Sequence, residues 1–251
     1  MILKQMKNKR NKNKSLETRM EKMKFEHTIR PIAYIQNDFK EKFGIPRQSG
    51  LADTTAKIVF EPEYRSREAV RGMEMYSHFW LLWQFSESVR DSWSPTVRPP
   101  RLGGNVRMGV FATRSPFRPN SIGLSCVRLD HIDLDGEDAP ALYVSGADLM
   151  DGTPIYDVKP YLPYVDSHPE ALGGFTESTK EYRLEVIVPE HLRAMISETT
   201  YRELCEVLEQ DPRPSYQKDP ARTYGMRYGK WEVKFRVEKN CLFVCEIRSA
   251  E

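Results

Sequence analysis

Up to about residue 165 the chain is a succession of short apolar runs cut by Gly, Pro and Asp-Gly turns. No segment there is long enough, with a helical period, to make an extended amphipathic helix. Such spacing restricts the fold to a closed barrel or a sandwich of short strands. HTIRPIAYIQ alternates like a strand but carries a proline, which places it at an edge or a bulge. AKIVFEP, HFWLLWQF, RMGVFATR, SIGLSCVRLDHIDLDG and ALYVSGADLMDG read as further strands. Asp135-Gly136 and Asp151-Gly152 read as turns. Between the second and third strands, SREAVRGMEMY predicts a short helix with Ser66 as its N-cap.

The pattern changes after Pro163. VDSHPEALGGFTEST reads as a linker or long loop, YRLEVIV as a strand, and the stretch opened by Pro189 as helical, with Leu192, Ile196, Leu204, Cys205 and Leu208 keeping a helical face. DPRPSYQKDP stops the helix. WEVKFRV and CLFVCEI then alternate across Glu238-Lys239-Asn240 as a hairpin. The division this predicts is a basic tail over 1–24, a barrel over 25–166 and a small α+β unit over 177–251.

Charge is unevenly spread. Residues 1–24 hold nine Lys/Arg and two Glu, leaving 29 basic and 34 acidic residues in the mildly acidic remainder. The tail lacks apolar periodicity and reads as disordered: either a nucleic-acid-binding arm or non-native sequence upstream of a start at Met20 or Met23. No apolar run approaches the roughly 20 residues of a membrane span, and no apolar segment of a secretory signal follows the basic start. The four cysteines form no CxxC pair and read as thiols of a reducing cytosol, so a cytoplasmic protein without a metal site is expected.

Against this background the segment Ser92–Leu129 stands out. It contains Arg98, Arg101, Arg107, Arg114, Arg118 and Arg128, but no Asp, Glu or Lys. Arginine forks among glycines and prolines suit planar recognition of anionic or aromatic groups; internal pairing with carboxylates is the alternative. Four other segments carry chemistry. IPRQSG presents Arg47 and Gln48 between a proline and a glycine. SHFW leads His78 into an aromatic strand, as a core residue or a ligand contact. DLMDGTPIYDVKPYLPYVD packs acids among Lys159, Tyr161 and prolines. If the segment is a strand, the six-residue spacing of Asp151 and Asp157 puts both on one face, as bases, metal ligands or ion-pair partners. DPRPSYQKDP sets Arg213, Tyr216 and Lys218 in a stiff loop suited to RNA or simply to helix termination. There is no Walker A, GxGxxG, GxSxG or HExxH motif, which removes the common nucleotide, serine-hydrolase and zincin routes.

Taken together, SHFW, RPPRLGGNVRMGVFATRSPFRPNSIGLS, DLMDGTPIYDVKPYLPYVD and DPRPSYQK resemble the TrmO (TsaA-like) family of tRNA adenine-N6-methyltransferases, from about His27 to Ile247. The resemblance implies a mainly β fold, with an S-adenosylmethionine-binding barrel followed by a small α+β domain. It also implies a homodimer with the cofactor near the subunit interface. The implied reaction is methylation of N6 of threonylcarbamoyladenosine, next to the anticodon at tRNA position 37 of threonine tRNAs. A non-catalytic RNA-binding barrel is the alternative. A third, weaker reading is a hydrolase or isomerase acting on a phosphorylated metabolite.

Carried over residue by residue, the family's cofactor contacts fall at Arg47, Gln48, His78, Arg107, Arg114, Leu124 and the run Asp148, Leu149, Met150, Asp151. Asp157, Lys159 and Tyr161 line the same region. Arg107 and Arg114, expected on a strand, suit the cofactor. Arg98, Arg101 and Arg118, beside prolines in loops, suit the anticodon loop, together with Lys159, Tyr161, Arg213, Tyr216 and Lys218; Arg128 reads as structural. Asp151, Asp157 and His78 are the candidate proton acceptors. Ser121 stands where many relatives have a second proline, a change expected to soften the loop, and the basic tail has no counterpart in the family's pattern.

Overall fold

Strict inside–outside alternation builds the first half of the molecule. In the computed structural model, which describes residues 27–89, 92–102, 105–180, 182–214 and 219–250, β3 (His78–Gln84) buries Phe79, Leu81 and Trp83. Its His78, Trp80, Leu82 and Gln84 turn to the other face. The strands β1 (Ala33–Asn37), β2 (Thr55–Phe60), β6 (Ile122–Asp133), β7 (Ala141–Ser145) and β8 (Pro154–Pro160) complete a closed barrel in the order β1-β2-β7-β6-β3-β8. Its core is Ile35, Ile58, Phe79, Leu81, Val127, Leu142, Leu149 and Ile155, each nearly or fully sealed from solvent. Closure gives every strand two neighbours, so no strand stands as a full-length sheet edge. The tail over 1–24 lies outside the described residues.

Three expectations change. SREAVRGMEMY is a series of turns ending in a single 3-10 turn, Met73–Met75, because Gly72 takes φ 88 and breaks the helical path. RMGVFATR is not a strand. Only Met108–Gly109 (β5) pairs, with Thr96–Val97 (β4), before Val110–Ala112 forms a 3-10 turn. Arg114 therefore lies beyond strand structure. Ser121 does more than soften its loop. It takes φ 45 and its N–H donates to the Arg118 carbonyl at 3.3 Å. A proline there has neither that φ nor that donor.

The second half is a four-stranded sheet in the order β10-β11-β12-β9 (Tyr224–Tyr228, Trp231–Glu238, Cys241–Ser249, Glu185–Ile187), packed with the helix Glu198–Glu209. The helix starts where the Ser197 side chain accepts from the Thr200 N–H. It buries Leu204, Val207 and Leu208 against the sheet. Packing does not divide along the chain. The long connection between β1 and β2 places Phe39, Phe43, Ile45 and Ala52 in this second core. Phe39 meets Tyr228 edge-on at 5.5 Å, and Phe43 stacks on Phe235 at 6.4 Å. Glu203, only 3% exposed, joins the two halves: it accepts from the Thr55 N–H and O–H on β2 and from the Tyr228 O–H on β10. Three donors to one carboxylate leave little of the burial cost uncompensated.

Gly123 on β6 sits opposite Trp83, and a methyl group at that position meets the indole at 2.3 Å. Gly123→Ala therefore displaces Trp83 and is expected to cost about 1–3 kcal/mol. Thermal unfolding checks this. An unchanged melting temperature shows that the indole moves aside freely.

Candidate functional site

The barrel opens on one side because β7 is short. β6 pairs with β7 only from Arg128 onward, the last pair being Arg128 with Ser145. Gly146 then takes φ 82 and turns the chain away. The first half of β6 keeps its other partner, β3, through pairs such as Leu82–Leu124 and Trp80–Cys126. Its remaining edge has no strand beside it, and this gap in the pairing is the cleft. The Arg47–Gly50 loop enters this cleft: the Ser49 hydroxyl accepts from the Cys126 N–H at 3.1 Å, and the Gly50 N–H donates to the Gly146 carbonyl at 2.9 Å. Since Cys126 points its N–H into the cleft, the two-residue strand period turns the Leu124 N–H and C=O the same way.

At the cleft Asp148 is the central group. Its Oδ1 accepts from the Ser125 hydroxyl, which in turn accepts from Trp83 Nε1 at 2.9 Å. Arg114 reaches in from the solvent side and donates to Gln48 Oε1 at 2.6 Å. Burial pushes the Asp148 carboxyl above the ordinary carboxylate range, although the Ser125 hydroxyl, the Ser49 N–H and the Arg114 charge oppose it. A half-buried carboxylate, the charge of a nearby guanidinium and an exposed strand edge are chemically complementary to a ligand that carries both signs of charge.

Several residues singled out from the sequence converge here: Gln48, Arg114, Leu124 and Asp148. Leu149 is fully buried in the barrel core, and its carbonyl accepts from Asn37 Nδ2 at 2.8 Å. Met150 closes the following turn, its carbonyl accepting from the Thr153 N–H. Asp151 accepts from the Asn37 N–H at 2.9 Å and pairs with Lys40 at 2.8 Å. It lies in the turn before β8, so Asp151 and Asp157 do not share a strand face; the strand geometry behind that expectation begins only at Pro154. Arg47 points elsewhere, donating to the carbonyls of Asp211 and Arg213.

His78, Asp157, Lys159 and Tyr161 gather on the outer face of β3 and β8. His78 Nδ1 meets the Ser77 hydroxyl at 2.9 Å, and Lys159 pairs with Asp157 at 2.8 Å. The Tyr161 ring lies 6.3 Å from His78 and 5.7 Å from Trp80, whose Nε1 donates to Asp166. The outer row continues onto β6 with Cys126 and the exposed Leu124 and Ile122.

The remaining arginines divide by contact. Arg107 donates to Thr96 Oγ1 across β4 and β5. Arg98 is exposed. Arg118 Nη1 donates to the carbonyls of Val110 and Thr113, so it braces a turn. Arg128 is held by Asp53 and Asp130, as its structural reading expected. Arg213, read as an RNA contact, is closed onto Asp211 by two hydrogen bonds of 2.8 and 3.0 Å, with both side chains largely buried. Tyr216, Lys218 and the Arg101 side chain lie outside the described residues. Ser49, Ser125, Trp83 and Lys40 were missed in the sequence because each acts through a partner remote along the chain. Among the described residues no group of three or more His, Cys, Asp or Glu side chains is arranged to hold a metal ion, and no helix is long and apolar enough to cross a membrane.

The Asp148 environment has a pH signature. A carboxyl raised in the folded state brings no penalty below its unfolded value of about 3.9, and lowers stability as pH rises toward the folded value. Asp148→Asn keeps an acceptor for Ser125 without the charge. Its melting temperature is expected to exceed the wild type's at pH 8 and to converge with it toward pH 4. A difference that does not vary with pH contradicts the buried-charge assignment.

Comparison with known proteins agrees with this architecture. Residues 34–167 match the family model for the tRNA-methyltransferase O N-terminal domain, and residues 181–250 match that for the TrmO C-terminal domain. The tRNA (adenine(37)-N6)-methyltransferase of Escherichia coli (strain K12) is 41% identical over 215 residues, covering 82% of this chain and 91% of that protein. The protein of the same name from Eikenella corrodens is 45% identical over 177 residues, covering 70% and 99%. A crystal structure of TrmO from Pseudomonas aeruginosa superposes with a TM-score of 0.73 at 35% identity, covering 90% of this chain and 98% of that one. With both halves matched and the barrel in common, this chain belongs to the TrmO family.

Proposed function

We propose that this chain is an S-adenosylmethionine-dependent methyltransferase acting on N6 of adenine 37 of tRNA, and that the Asp148 cleft holds the cofactor. The observation that carries the second part is the half-buried Asp148 carboxylate, held by Ser125 and within the field of the Arg114 charge, beside the stretch of β6 that β7 leaves unpaired. S-adenosylmethionine has an α-carboxylate, an α-ammonium, a sulfonium and an adenine ring, and these residues fit it. Arg114, oriented by Gln48, suits the carboxylate. Asp148 suits a cationic group, whose charge would favour the ionised form that burial opposes. The Leu124 N–H and C=O suit the hydrogen-bonding edge of an adenine. When bound, the cofactor supplies an electrophilic methyl group on a positively charged sulfur.

The chain's own contribution is mostly positional. Ser125 and Trp83 lock the Asp148 carboxylate, and the Ser49 contact to β6 holds the loop that carries Gln48. Holding donor and acceptor in line at near-attack distance contributes several kcal/mol to the rate. N6 loses a proton as it gains the methyl group. Asp151, three residues from Asp148, partly exposed and paired with Lys40, is the carboxylate assigned to accept it. Asp157 and His78 belong to the outer face, where they suit substrate contact along with Lys159 and Tyr161.

The substrate within this reading is the threonylcarbamoylated adenosine of threonine tRNAs, reached through the exposed arginines, and the site of action is the cytoplasm. A homodimer is part of the proposal. Ile122 and Leu124, neighbours on the outer face of β6, expose apolar surface at 39% and 52% respectively. Sedimentation of the wild type as a monomer at micromolar concentration would remove the dimer.

Arg114→Ala is expected to remain folded and to weaken cofactor binding in calorimetry by roughly ten-fold or more. Asp151→Asn is expected to keep cofactor affinity and lose turnover. Wild-type methyl transfer by the arginine variant sinks the cofactor assignment. Mass spectrometry of tRNA nucleosides from a strain lacking the gene tests the substrate: the N6-methylated threonylcarbamoyl nucleoside disappears, or the substrate assignment fails.

A further inference from the structure

Two large aromatic side chains stand in solvent within the arginine-only segment. Trp93 is 52% exposed and Phe111 is 69% exposed. Their ring centroids lie 6.0 Å apart with planes 30° from parallel, so they form one continuous aromatic surface. Phe111 does not hang from a loose loop. Val110 beside it is buried at 1% exposure, and the turn is tied by Arg118 to the carbonyls of Val110 and Thr113 and by the Thr113 hydroxyl to Val110. The Arg118 guanidinium also lies 5.6 Å from the centre of the Phe111 ring. A cleft beside Trp93 is lined also by Phe117, Arg118, Pro119 and four serines, among them Ser92 and Ser94. The same turn that holds Phe111 outward delivers Arg114 to the Asp148 cleft.

Burying two such rings elsewhere in the core would stabilise the fold, and exposing them does not. The occupant is narrowed by charge. The Arg118 guanidinium lies against Phe111, Arg98 is exposed five residues after Trp93, and Ser92–Leu129 contains no carboxylate, so the local charge favours a polyanion. A polyanion with flat apolar faces is single-stranded nucleic acid, whose unstacked bases lie on aromatic rings while arginines meet the phosphates.

We propose that Trp93 and Phe111 form a stacking platform for an unpaired base of the RNA substrate, adjacent to the base that is methylated. This rests on the tRNA-methyltransferase reading given above and adds a binding site to it. The platform anchors the loop by stacking, and neighbouring arginines such as Arg98 contribute the salt-dependent part of binding.

The test compares the full-length wild type with Trp93→Ala/Phe111→Ala and with the ring-retaining Trp93→Phe/Phe111→Tyr. A threonine tRNA transcript is the probe, titrated at several salt concentrations. The alanine pair is expected to bind the transcript ~10- to 100-fold more weakly, with the slope of log Kd against log salt unchanged. The ring-retaining pair is expected to recover most of the affinity. Cofactor binding by calorimetry and the sedimentation coefficient are expected to match the wild type in both.

Four results overturn the platform. They are unchanged tRNA affinity in the alanine pair, an equal loss in the ring-retaining pair, a loss of cofactor binding, and a changed oligomeric state, which would make this face a contact between two copies of the chain. The outcome is separable from that of the function itself. A wild type that binds the transcript but transfers no methyl group to threonylcarbamoylated threonine tRNA overturns the reaction and leaves the platform standing, whereas a wild type that binds no tRNA overturns both.

Discussion

The pairing of β6 with β7 stops at Arg128 and Ser145, and most of the functional geometry follows from that early stop. A barrel strand whose edge loses its neighbour must satisfy its backbone groups some other way, because unpaired N–H and C=O groups are costly away from water. Here Ser49 meets one of them, and the loop that carries Ser49 brings Gln48 and Arg114 into contact. Beside this opening the Asp148 carboxylate accepts from Ser125, whose hydroxyl accepts in turn from Trp83. A barrel paired along its full height would bury those groups under continuous sheet and leave no receptor.

The loop that fills this gap is held by the second half of the molecule. Phe39, Phe43, Ile45 and Ala52 pack into the core of the C-terminal sheet, and Arg47 donates to carbonyls at residues 211 and 213. Glu203 and Gln210 of that half reach back to Thr55 and to the Leu51 carbonyl. The C-terminal sheet thus acts on the cleft without entering it, by fixing both ends of the loop. The buried Asp211–Arg213 pair belongs to the same arrangement. Burial alone would raise the Asp211 carboxyl, but hydrogen bonds from Arg213 and Tyr182 outweigh it and hold the carboxyl below its ordinary range.

Much of the fold was legible because its causes are local. The alternation in HFWLLWQF and SIGLSCVRLDHIDLDG specifies which side chains face inward, whatever the rest of the chain does. The errors occurred where local preference met a tertiary constraint. SREAVRGMEMY has helical composition but must seat Val70 in the barrel core and turn at Gly72. RMGVFATR has strand composition but is folded into a turn by Arg118, ten residues beyond Met108. The site was legible only as a set of residue types. Gln48, Arg114 and Asp148 were identifiable as candidates, while Ser49 and Ser125 were not, since a serine announces nothing until its partner is placed.

The sequence by itself determined the strand alternation, the turn positions and the family, because side-chain period, glycine and proline geometry and long motifs act over a few residues at a time. It also determined that one segment would be rich in arginine and free of carboxylates. Only the tertiary structure decided which arginine serves which purpose. Arg114 reaches Gln48 across 66 positions of chain, Arg213 turns inward to Asp211, and Arg118 braces the turn that exposes Phe111. A guanidinium is the same group in every one of these sequence contexts, and its role is set by the acceptors that long-range packing brings within about 3 Å of it.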